Sequence, residues 1–127
     1  MIKKLFYPLG ALVIALSLIG LTAAQGQKST LTGNLIDKAC ATGKASKAEH
    51  PQEVAGKHPK SCSLMENCAK SGFGVYADGK FYEFDEKGST LAKAALEKST
   101  KDRGATFKVV GTVDGGKMTV DSITEAN

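Results

Sequence analysis

The chain contains no Cys-x-x-Cys pair, which argues against a thioredoxin-like redox site. It contains no Cys-x-x-Cys-His, which excludes covalent c-type haem. No glycine-rich phosphate cradle of the P-loop kind is present, and no spacing suggests a Ser-His-Asp arrangement. Tryptophan is absent, and no internal repeat appears. A strong excess of charge of one sign is also missing. The formal net charge of the 127 residues is +4. Without the first 24 residues, 15 of the 17 basic residues and all 13 acidic ones remain, a net of +2. That balance excludes a strongly basic nucleic-acid binder and an acidic disordered tail. The length allows one ordinary domain and not two.

Long apolar runs are lacking too, with one exception. Lys3 and Lys4 precede an uncharged stretch from Leu5 to Leu21, and Thr22-Ala23-Ala24 follows with small residues. This is the three-part layout of a secretory signal, so residues 1–24 are expected to be removed. The rival reading is a transmembrane anchor. The run of about 17 residues sits at the lower edge of what spans a bilayer, and Pro8 and Gly10 shorten its helical part. No cysteine follows it, so a lipid anchor is not expected here. The expected mature chain is 25–127, secreted or periplasmic, with no stable membrane anchor after cleavage, in an oxidising compartment.

Leu31, Gly33 and Leu35 alternate with Thr32 and Asn34, the pattern of a half-buried strand, after a polar lead-in from Gln25 to Thr30. Large apolar side chains then nearly vanish from Ala39 to Ser61. The stretch 39–72 therefore reads as a long insertion, a length at which loops are often functional. Within it, Ser61 to Lys70 has helical character, with Ser63 and Glu66 as a capping box and Gly72 as the stop. Phe73–Ala77 and Lys80–Phe84 read as strands joined by the tight turn Asp78-Gly79. Thr90 is the expected cap of a helix running to about Lys101. Phe107 to Val113 and a segment from Met118 supply two further strands. Five strands with a helix between the third and fourth is the order of the OB-fold. The expected architecture is mainly β with some α: a small five-stranded OB-like barrel carrying a Cys/His-containing helical insertion between strands 1 and 2. Gly33 and Gly111 stand where such a barrel needs sharp curvature. Periodicity alone does not distinguish a closed barrel from an open sandwich of the same strands.

Three stretches, TGNLIDKAC (32–40), CSLMENCAKSGFGVYADGKFYEFDEKG (62–88) and KVVGTVDGGKMTVDSI (108–123), resemble a group of small exported bacterial proteins of unassigned function. The likeness covers about half of the expected mature chain. It implies an OB-like fold and export, and it implies no particular chemistry. It also implies that Cys40, Cys62, Cys68 and a histidine matching His58 recur together. A proline often stands near the place of Glu66 in that group, and its absence here favours a local helix.

All three cysteines and both histidines fall between Cys40 and Cys68. Three thiols cannot all pair within one chain. A continuous helix would hold Cys62 and Cys68 about 9 Å apart along its axis, beyond the roughly 7 Å Cα limit of a disulfide. A bond between them requires a broken helix, whereas Cys40 is able to reach either. His58, Cys62 and Met65 would share one face of a helix over this stretch. The set Cys40, His58, Cys62 and Cys68, with Met65 as an additional soft ligand, suits zinc or cuprous copper. The plainer reading is one structural disulfide drawn from Cys40, Cys62 and Cys68, with a spare thiol. A catalytic cysteine paired with His58 lacks an orienting third residue, so no enzyme is expected. Tyr76, Phe81, Tyr82 and Phe84 offer rings on which bases stack in other OB-folds, but cross-strand packing explains them, and no nucleic acid is expected. Glu83, Asp85 and Glu86 are too closely spaced for a calcium site. The expected function is that of a non-enzymatic binding module holding a transition metal. The alternative is a disulfide-stapled scaffold that binds a protein, glycan or envelope component through the barrel face.

Overall fold

The structure is a computed structural model that describes residues 26–126. The expected signal peptide lies outside the described residues. Five strands, β1 (Gln27–Asp37), β2 (Phe73–Ala77), β3 (Lys80–Phe84), β4 (Phe107–Asp114) and β5 (Lys117–Glu125), close into a barrel in the order β1-β2-β3-β5-β4. All pairings are antiparallel except β3 with β5. This is the OB-like topology. Strand and helix content are about equal. Helices α1 (Lys38–Gly43), α2 (Pro51–Lys57), α3 (Lys60–Ser63) and α4 (Glu66–Lys70) lie between β1 and β2, and α5 (Glu86–Lys98) lies between β3 and β4. No helix among the described residues is long and apolar enough to cross a membrane.

β1 does the work of two strands. Its first part, from Gln27 to Gly33, pairs with β4, and Asn34 to Asp37 pairs with β2. The polar lead-in expected before Leu31 is therefore part of the strand, because the ladder to β4 satisfies its backbone. Gly33 marks the switch between partners. A Cβ there would fall 2.0 Å from the Tyr76 carbonyl oxygen, so only glycine permits the strand to bend this close to β2. Gly111 plays the same part in β4, next to a register shift, where a Cβ would meet the Thr119 carbonyl oxygen at 2.1 Å. At the β2–β3 turn, Asp78 and Gly79 both take positive φ, 50° and 77°, as a tight hairpin requires.

The barrel interior is built from alternate strand residues, among them Leu35, Val75, Phe107, Val109, Met118 and Val120. Leu96 and Ala92 of α5 pack onto it. α5 begins earlier than Thr90. Asp85 is its cap, with Oδ1 accepting from Gly88 N at 3.0 Å and from Val120 N at 3.2 Å, which ties the helix start to β5. Thr90 instead donates to the Glu86 carbonyl inside the helix. Gly88 lies inside the helix, where the approach to the barrel is so close that a Cβ would fall 2.5 Å from Val120 Cγ2.

A second, smaller core lies on the opposite face of β1 and β2. Ile36 and Tyr76 pack there against Ala41, Ala45 and Ala55 of the insertion, with Phe81 at its edge. All five residues of β2 are buried because one face looks into the barrel and the other lies under the insertion. The Tyr76 and Phe81 rings, with centroids 5.9 Å apart, belong to this packing, and the Tyr76 hydroxyl bonds Ser46 Oγ at 2.9 Å.

Candidate metal centre

Asp37 ends β1 and is fully buried. Its position explains its role: it caps α1 at the point where the strand becomes a helix. Oδ2 accepts from Cys40 N at 2.9 Å. Oδ1 accepts from Ser63 Oγ at 2.8 Å, and the same hydroxyl accepts from Asp37 N at 3.3 Å. His58 Nε2 stands 3.3 Å from Oδ1, and the imidazole is 6% exposed. A carboxylate has about four lone-pair sites. Oδ1 thus meets the Ser63 hydroxyl and the His58 ring, Oδ2 takes the Cys40 N–H, and the Cys40 side chain also bonds the carboxylate. Burial pushes the Asp37 carboxyl up, but His58, the Cys40 N–H and the Ser63 hydroxyl outweigh it and hold the group down at about 2. Asp37 is therefore a fixed anion at neutral pH.

The thiols of Cys40 and Cys68 share this position. A carboxylate oxygen of Asp37, Cys40 Sγ and Cys68 Sγ all lie within 4.8 Å of one another, a group that could hold a metal ion. Burial, the Asp37 charge and the neighbouring Cys68 push the Cys40 thiol up to about 12. His58 supplies a further sign. Its Nε2 is buried without a hydrogen bond of proper geometry, despite the short approach to Asp37. Buried nitrogens are seldom left in this state.

The five sequence-predicted ligands divide accordingly. Cys40 and Cys68 come together, and His58 adjoins them through Asp37. Cys62 sits in α3 outside the donor group, and Met65 is 60% exposed. The expected single helix over 61–70 is broken between α3 and α4, so the shared face of His58, Cys62 and Met65 does not form. His58 is the C-cap of α2 and Pro59 the N-cap of α3. The Ser63–Glu66 capping box is absent as well, because Ser63 turns inward to Asp37 and Met65 caps α4 without a side-chain bond. The one residue sequence reasoning missed is Asp37. Its signal was present: an aspartate at the end of an alternating strand, three residues before Cys40, is in position to cap a helix.

The surrounding insertion is locked to the barrel by polar contacts. Gln52 donates to Asn34 Oδ1 at 2.9 Å and to the Tyr76 carbonyl at 2.8 Å, and accepts from Gly79 N at 2.9 Å. On the far side it is clasped to the segment between α5 and β4. Lys60 N donates to the Asp102 carbonyl at 2.7 Å, and Gly104 N to the Gly56 carbonyl at 3.0 Å. Among the acidic residues weighed for calcium, Asp85 is occupied as a cap and Glu83 pairs with Lys38 at 2.7 Å. Comparison with protein families, characterised proteins and solved structures returned no match to this chain.

Proposed function

We propose that the protein is an exported, non-enzymatic binding module that holds a transition-metal ion in its insertion. It would belong with the small exported bacterial proteins that its three motif stretches resemble. Cys40, Cys68 and Asp37 provide the ligands, and His58, outside that group, stands against the Asp37 carboxylate at 3.3 Å. The observation that carries this reading is the convergence of two thiols on a buried carboxylate, beside a buried imidazole nitrogen that lacks a hydrogen bond. Two sulfurs and one oxygen suit zinc, with a fourth position left for another donor. Cuprous copper prefers an all-soft set, and the soft candidate Met65 lies exposed on the surface. The alternative of a partner bound through the barrel face loses support on β1 and β2, since the insertion already covers their outer side.

The experiment is zinc loading of the reduced protein, followed by intact mass under native conditions and by melting temperature. One zinc per chain and a raised melting temperature are expected. Replacing Cys68 by serine should abolish both effects, whereas Cys62→Ser should retain them. Absence of bound zinc in the reduced wild type would remove the reading.

A further inference from the structure

The framework that brings Cys40 and Cys68 together is made of backbone and serine contacts. Lys38 N donates to the Gly72 carbonyl at 2.8 Å. Ala39 N donates to Ser71 Oγ at 3.0 Å, and that hydroxyl donates to the Cys68 carbonyl at 2.6 Å. The first turn of α1 is thus stitched to the end of α4, one residue from Cys40 on one side and at Cys68 itself on the other. Both thiols are half-buried, which leaves a small reagent a way in. Cys62 is equally half-buried but stands outside the group.

We infer that Cys40 and Cys68 form a reversible dithiol–disulfide couple with Cys62 as the leftover thiol, and that this disulfide and a bound metal exclude each other. The second half rests on the proposed metal site, and the first does not. Side-chain rotation brings the two sulfurs, already within 4.8 Å, to the roughly 2.05 Å of a disulfide. The oxidant is an external disulfide, RSSR, of a small thiol or of a partner protein. One thiolate of the pair attacks one sulfur of RSSR, forming a mixed disulfide and expelling RS⁻, which takes up the proton the cysteine lost. The second thiolate then attacks the cysteine sulfur of that mixed disulfide and expels the second RS⁻, which takes up the second proton. Two electrons pass from the pair to RSSR, giving one internal disulfide and two RSH. The product holds no thiolate, so it removes two of the metal's ligands in one reaction.

The test uses the reduced protein equilibrated in glutathione buffers of graded reduced-to-oxidised ratio, quenched by alkylation and mapped by peptide mass. The expected product is a single Cys40–Cys68 bond with Cys62 alkylated. Cys62→Ser should oxidise at the same midpoint, whereas Cys40→Ser and Cys68→Ser should yield only glutathione adducts. A bond that includes Cys62, or wild-type protein carrying glutathione adducts and no internal bond, overturns the couple. Zinc is then offered to both redox forms. At least tenfold weaker binding to the oxidised form is expected, and equal binding overturns the mutual exclusion. If the reduced form takes no zinc while the Cys40–Cys68 bond forms, the metal reading fails and the redox couple stands.

Discussion

The barrel and its insertion are held together by different means. The barrel interior uses large apolar side chains such as Phe107, Met118 and Val109, all essentially buried. The insertion uses alanines, Ala41, Ala45 and Ala55, and a set of polar cross-links centred on Asp37 and Gln52. A large apolar residue stabilises through area removed from water, an effect without direction. A buried carboxylate or amide stabilises only while every partner stays in place. The barrel is therefore the permanent part of the molecule. The insertion, which also carries the group of Asp37, Cys40 and Cys68, depends on that polar network.

Four substitutions or conditions test this contrast. Phe107→Ala opens a cavity inside the barrel and should cost about 3–5 kcal/mol, with amide-exchange protection lost across the whole chain. Asp37→Ala removes the α1 cap and leaves the donors of Cys40 N and Ser63 Oγ without their acceptor, at about 3 kcal/mol. Its loss of protection should concentrate in residues 38–72, with β4 and β5 still protected. Uniform loss in both variants would erase the distinction between the two regions.

Acid supplies a third case. The Asp37 carboxyl is held at about 2, below its usual 3.8. A depressed folded-state value means the stabilisation is complete above the ordinary value and is lost as pH falls through about 2. Thermal melts should therefore show a loss of roughly 2 kcal/mol between about pH 5 and pH 2 that Asp37→Asn does not show. A variant that tracks the wild type through that window would count against the network. The smallest effect is expected from Gln52→Ala. It removes one side chain that bridges Asn34, Tyr76 and Gly79 and should cost about 1 kcal/mol by denaturant titration, confined to the insertion.

The same contrast explains what could be read from the sequence. The barrel strands declare themselves because alternation of large apolar residues, as in Phe107 and Val109, has a period that needs no tertiary context. The turn at Asp78-Gly79 and the bends at Gly33 and Gly111 are local for the same reason. Closure of the barrel is not local. It depends on β3 meeting β5 in parallel across a pairing of two residues on each strand. Helices α1 and α2 were hidden because their buried faces consist of alanine, which carries no periodic signal. Asp37 as the cap of α1 and Pro51 at the first position of α2 were the only marks. The start of α5 was misplaced because Gly88 reads as a breaker until its close approach to Val120 is known.

The candidate site shows both sides of this limit. Clustering of cysteine and histidine between positions 40 and 68 pointed to the segment that carries Cys40 and Cys68 of the donor group. Which of them meet is decided by the break between α3 and α4, a tertiary event that turns Ser63 inward and leaves Met65 outside. The sulfur pair, Cys40 with Cys68, and the carboxylate that joins them emerge only when β1, α1 and α4 are assembled.

The most direct test of the account is zinc stoichiometry measured by native mass on reduced wild type, Cys62→Ser and Cys68→Ser at two pH values. The account predicts one zinc in the first two proteins and none in the third. It also predicts tighter binding at the higher pH, since the Cys40 thiol, pushed up to about 12, must give up its proton to the solvent on binding. Zinc retained by Cys68→Ser but lost in Cys62→Ser, or none bound by the wild type, would contradict it.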